Sequence, residues 1–201
     1  MAALGWLGAA GAWGFIAVFV VDGVTRPHYS PVRQPVSALA LGPRGWMQTG
    51  NFLVAGALIT AGAPAVWSAE SILLAAAIGV VGIALVASGI FPMDPMRGYP
   101  PGAPSGDPET FTQRHRHHDT AGAVVFMGLP VVAIIAAFVL DGAAWRGYSG
   151  VTGVAMGALS IWFGYAWEED TPTSGLIQRA ALVVGLTWLG ALFVYAGTQL
   201  P

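Results

Sequence analysis

The chain contains no cysteine, which excludes disulfides, thiolate metal sites and cysteine nucleophiles together. Charge is almost as scarce. Charged residues make up 9% of the 201 positions, against roughly 25% in an ordinary soluble domain, so a soluble fold would have to bury nearly all the rest. The formal net charge of −2 lacks the basic balance of a general nucleic-acid partner. Also missing is the alternation of apolar and polar residues that a membrane barrel strand would show.

What is present is hydrophobic sequence, 55% of the chain, arranged in blocks. All ten acidic and eight basic residues fall between six uncharged windows, 1–21, 45–69, 71–93, 120–140, 147–167 and 180–201, each at least 21 residues long. About 20 apolar residues in a helix cross the roughly 30 Å of hydrocarbon in a bilayer, and only helices or closed barrels satisfy their backbone there. The expectation is an all-α polytopic membrane protein: a single domain, 1–201, of six transmembrane helices in one bundle, at about 4–24, 46–67, 71–91, 119–140, 149–167 and 177–198. The first window lacks a basic start and a convincing cleavage site and reads as a span rather than a leader.

Small residues mark packing faces: Gly5, Gly8, Gly11 and Gly14 in the first helix, and Gly153 with Gly157 in the fifth. Trp46 and Trp67 bracket the second helix as interfacial aromatics do, while Gln48, Thr49 and Asn51 read as facing inward. Pro130 predicts a kink in the fourth. Only Glu70 separates helices two and three, whereas the loops after helices one and three are long and share one side. Prolines at 27, 31, 35 and 43 give the first loop an extended path folded back on the bundle. Seven of the eight arginines lie on the long-loop side, and the positive-inside rule therefore places those loops in the cytoplasm of an inner-membrane protein, with both termini outside.

The longest stretch unable to sit in lipid runs from Phe91 to Asp119 and holds three of the four histidines. His115, His118 and Asp119 fall at i, i+3 and i+4, a spacing that can hold a divalent metal such as zinc, with Asp94 completing the set. The alternative for these histidines is an interfacial strip that meets lipid headgroups. Asp94 is either a structural tie or a general acid/base. Ser37 is a candidate nucleophile if His118 and Asp94 converge on it, although no GxSxG elbow surrounds it, and otherwise a cap for the segment after it.

The run Arg33-Gln34-Pro35-Val36-Ser37 leading to Leu41-Gly42-Pro43 and Trp46, then Phe91-Pro92-Met93-Asp94-Pro95 with Gly98, then His118-Asp119, resembles the DUF998 family over nearly the whole chain. That resemblance implies a prokaryotic six-helix membrane protein with motif positions at Ser37, Pro92, Asp94, Pro95 and His118, and no assigned activity. The chain departs from the pattern at Ala38 and in the extra His115 and His117. A remoter likeness, to membrane hydrolases of the ceramidase and adiponectin-receptor kind, matches in residue types but not in spacing.

The expected function is a polar interfacial pocket for an amphiphile, a lipid or isoprenoid headgroup. Arg33, Arg97 and Arg114 would take an anionic group, and Trp46, Tyr99 and Phe111 would lie at headgroup depth. The alternative is a hydrolase of a lipid ester or amide, in which Asp94, His115 and His118 hold the metal while Ser37 or Asp119 assists proton transfer. A transporter is the third reading, disfavoured because no window carries a charge at its middle.

Overall fold

The computed structural model describes residues 1–199. It contains α1 (Ala2–Thr25), a short 3-10 segment (Val36–Ala40), α2 (Gly45–Ala69), α3 (Ile72–Ile90), α4 (Gln113–Val139), α5 (Ala143–Glu168) and α6 (Ser174–Thr198). Apart from one bridge between Met96 and Tyr99, the described residues form no β-structure. Five of the six helices are long and apolar enough to cross a membrane. α5 has the length, 26 residues, but its glycines, serines and aromatics dilute its apolar content. The protein is an all-α polytopic membrane bundle.

Each helix packs against the next, and α6 returns to α1, so the six close into a ring. α6 leans toward the centre, touching α2 and α4 as well, and fully buries Trp188, Leu189, Leu192 and Phe193. In the first half of α1 size is sorted opposite to a soluble helix, whereas Phe15 and Phe19 are buried further along. α1 buries Gly5, Gly8, Ala9, Gly11 and Ala12 and turns Trp6, Leu7 and Trp13 outward. Lipid solvates large apolar groups as well as a core does, so small residues go where backbones must approach. A Cβ on Gly62 would lie 2.7 Å from the Gly8 Cα and 2.8 Å from the Phe193 ring, which fixes three helices at one crossing. Gly14, expected on the same face, meets nothing within 4 Å. Gly153 packs on Ile134 and the Pro130 carbonyl, and α4 runs continuously through that proline.

Trp46 and Trp67 are both exposed at opposite ends of α2. At 1.5 Å per residue they stand about 32 Å apart, close to the thickness of hydrocarbon.

Three helices begin at least three residues earlier than the charge-free windows predict, α6 among them at Ser174 rather than 177. α4 starts at Gln113 rather than 119 because Thr112 caps it, its Oγ1 accepting from the His115 N–H at 3.2 Å. α5 starts at Ala143 rather than 149, directly after Gly142 at φ 85°. Charge-free sequence marks the hydrocarbon layer, and a capped helix continues past it.

Candidate functional site

The three linkers between odd and even helices meet in one cap. Its first anchor is Asp22, wholly buried at the end of α1 and gripped by Arg26 one turn later and by Arg44 at 2.7 Å. Arg26 also donates to the Leu41 carbonyl at 3.0 Å and to the Tyr99 hydroxyl at 3.4 Å, tying the first loop to the second. The other anchor is Arg179 on α6, which donates to the carbonyls of Pro31 (2.6 Å), Gln34 (2.8 Å) and Gly175 (2.9 Å) and to the Tyr29 hydroxyl. Burial pushes the Tyr29 hydroxyl up to about 12, against the opposing pull of Arg179. The Val36 N–H donates to Gln178 Oε1 at 2.6 Å, which sets the 3-10 segment over α6.

In the second loop Arg97 forks onto Asp107 (2.6 and 2.9 Å), donates to the Trp167 carbonyl (2.6 Å) and lies over the Trp167 ring at 4.0 Å. Its hydrogen bonds hold the Asp107 carboxyl below the usual range. Arg33 pairs with Asp170 at 3.0 Å. The expected anion clamp is therefore not formed. Arg33 and Arg97 are neutralised by Asp170 and Asp107, and Arg114 stands exposed at the start of α4. Trp46 faces outward, 73% exposed, since Gly45 must press on the Ala40 carbonyl and so turns the next side chain away. Tyr99, expected at headgroup depth, is buried edge-on against Tyr29, while Phe111 is exposed and stacks on His115 at 4.4 Å.

The two key histidines are wired in opposite senses. His115 Nδ1 accepts from the Asp94 N–H at 2.9 Å, so the hydrogen sits on Nε2, 3.1 Å from Asp119 Oδ2. His118 Nδ1 faces two acceptors, the carbonyls of Phe91 (2.8 Å) and Ser88 (3.2 Å), and must carry the hydrogen itself. In the neutral ring this leaves a lone pair on Nε2, for which the described residues supply no partner. Asp94 accepts at both oxygens from Thr112, from N–H at 2.8 Å and from Oγ1 at 2.7 Å.

These bonds correct the expected zinc set. Both His115 nitrogens and both Asp94 oxygens are spent on protein partners, and among the described residues no three His, Asp or Glu side chains cluster so as to hold a metal. The residues do not fit the ion. Nor does Asp94 join Ser37 and His118: it braces the start of α4.

Ser37 and His118 do share a space. A cavity of about 350 Å³ lies between α4, α5, α6 and the 3-10 segment. Its mouth carries Ser37, His115, His118, Asp119, Glu168 and Gln178, and its deeper wall Phe126, Met127, Phe163 and Ser160. Eight residues separate Asp119 from Met127 on α4, and Glu168 from Ser160 on α5, so the cavity reaches about 12 Å below its mouth. Ala123, Met127 and Gly164 are exposed, giving the wall a side facing lipid. The Ser160 hydroxyl is buried with no partner. A helical serine ordinarily bonds the carbonyl four residues back, so this one is unspent. Asp22, Tyr29, Ser160 and Arg179 were not singled out from sequence as site residues; a polar residue within an uncharged window was the available signal for Ser160.

A family model described as "Protein of unknown function (DUF998)" matches residues 9–195. No curated protein and no solved structure matches the chain.

Proposed function

Because the chain belongs to the DUF998 family, whose description assigns no activity, the function has to be argued from the site, and we propose that it holds the head and upper chain of an amphiphile, a lipid or isoprenoid, in the cavity between α4 and α5. One observation carries the reading: a space of about 350 Å³ with a hydrogen-bonding mouth, an aromatic floor and a wall open to lipid. That volume is at the small end for ligand cavities, enough for one head and part of one chain. The protein lies in the inner membrane with its three-loop cap in the cytoplasm, the side favoured by seven of eight arginines.

The test uses the glycines that keep the cavity open. A Cβ on Gly122 or Gly164 would meet nothing within 4 Å, so Gly164→Leu starts from open space at the cavity wall and improves helix propensity. Mass spectrometry of the purified protein is expected to find one amphiphile retained per chain and to lose it in Gly164→Leu. A wild-type preparation that retains none would refute the reading.

A second reading is favoured by the orientation of His118. A base fixed through Nδ1 lines the same cavity as the Ser37 hydroxyl, which supplies both group types that an activated serine requires. Labelling by a serine-reactive fluorophosphonate, abolished by Ser37→Ala and by His118→Gln, is the expected result if the site hydrolyses esters or amides. Absence of labelling in active-site titration removes it.

A further inference from the structure

The mouth of the cavity also bears on which head it accepts. No arginine lines it, whereas two carboxylates do, Asp119 and Glu168. The cationic side chains nearby are committed elsewhere: Arg33 to Asp170, Arg97 to Asp107 and the Trp167 carbonyl, Arg179 to the carbonyls of the first loop. Asp119 meets His115 through one oxygen only and its side chain is 60% exposed, and Glu168 makes no hydrogen bond or close ion pair among the described residues, although its charge reaches Arg97. A phosphate entering here would meet like charge, and the guanidinium that Glu168 reaches, Arg97, is already committed to Asp107 and the Trp167 carbonyl. An ammonium would find two carboxylates, and its N–H groups match the acceptor left on His118 Nε2. His118, itself buried, keeps that acceptor without a partner among the described residues and so independently marks the space as one that the protein does not complete alone.

We propose that the cavity selects a single-chain amphiphile with a protonated amine head and rejects chains headed by a phosphate. This rests on the amphiphile reading above and reverses the anion preference expected from the arginine content. The head sits between Asp119, Glu168 and His118, and the chain passes Phe126 and Phe163 to leave the protein beside Met127 and Gly164.

The experiment compares hexadecylamine, hexadecanol and hexadecyl phosphate binding to the full chain in phosphatidylcholine nanodiscs. Saturable binding of the amine is expected, at least tenfold tighter than that of the phosphate. Neutralising one partly exposed carboxylate, Glu168→Gln or Asp119→Asn, should weaken the amine up to about fivefold, and Glu169→Gln, just outside the lining, should not. Phosphate binding as tight as the amine overturns the proposal, as does an amine affinity unmoved by both substitutions. If hexadecanol alone binds and Gly164→Leu abolishes it, the cavity stands and the amine head falls. Failure of all three probes to bind overturns the cavity reading itself.

Discussion

Two histidines three residues apart on one helix have opposite hydrogen-bonding roles, and their neighbours decide which. His115 receives a backbone N–H on Nδ1 and becomes a strut, while His118 faces two carbonyls on Nδ1 and leaves Nε2 without a partner among the described residues. Spacing alone suggests a shared metal; the tautomers do not allow it. The same accounting applies at Tyr29, whose hydroxyl donates to the Pro35 carbonyl at 2.9 Å while Arg179 donates to it. Its ionisation is raised from 10.0 to about 12 by burial. A raised folded-state value means the unfolded chain loses its proton first. The contribution is therefore whole below pH 10 and is lost as pH rises through about 12, amounting to about 2–3 kcal/mol. Thermal midpoints in detergent should fall across that window, and Tyr29→Phe should start lower at neutral pH yet decline less steeply. An equal decline in both proteins would place the alkaline transition elsewhere.

At the level of the helix, hydrophobic windows report the membrane and capping reports the helix. The six helices were legible because lipid forbids unpaired charge and unpaired backbone alike, but the first six residues of α4 were not. Gln113 to His118 is polar, and polar sequence outside the bilayer is compatible with loop or helix. The decisive group is Asp94, distant in sequence, whose carboxylate holds the Thr112 N–H and hydroxyl while that hydroxyl caps His115. Read from sequence, Asp94 suits a structural tie first and catalysis second, because a carboxylate after a helix next to prolines looks the same in both roles. As a brace it makes a distinct prediction. Asp94→Ala should cost about 1–2 kcal/mol of stability, the scale of a lost cap with charged hydrogen bonds, and hydrogen exchange should rise at residues 113–118. Amphiphile binding should survive in the folded fraction. Loss of binding with unchanged exchange would instead assign Asp94 to the site.

Over the whole molecule, loop parity was readable, since an uncharged span reverses the chain each time and brings linkers one, three and five to the same face. Which arginine met which acid was not, because seven guanidiniums on one face offer many pairings and sequence distance does not rank them. The structure spends Arg179 on closing the cap, with three backbone carbonyls as its acceptors. Hydrogen bonds from charged donors each contribute about 1.5–3 kcal/mol, so Arg179→Ala should raise the population of an opened first loop roughly 10- to 100-fold. The Arg33–Gln34 bond lies in that loop, flanked by the Arg179 acceptors, and trypsin cleavage there follows the open population. Sealed vesicles then test closure and orientation together. The variant should be cut at Arg33 at least tenfold faster than wild type in inside-out vesicles, where a cytoplasmic cap faces the protease, and should resist in right-side-out vesicles. Faster cutting from the other face would keep the latch and invert the orientation, while equal rates in wild type and variant would show that the cap does not depend on Arg179.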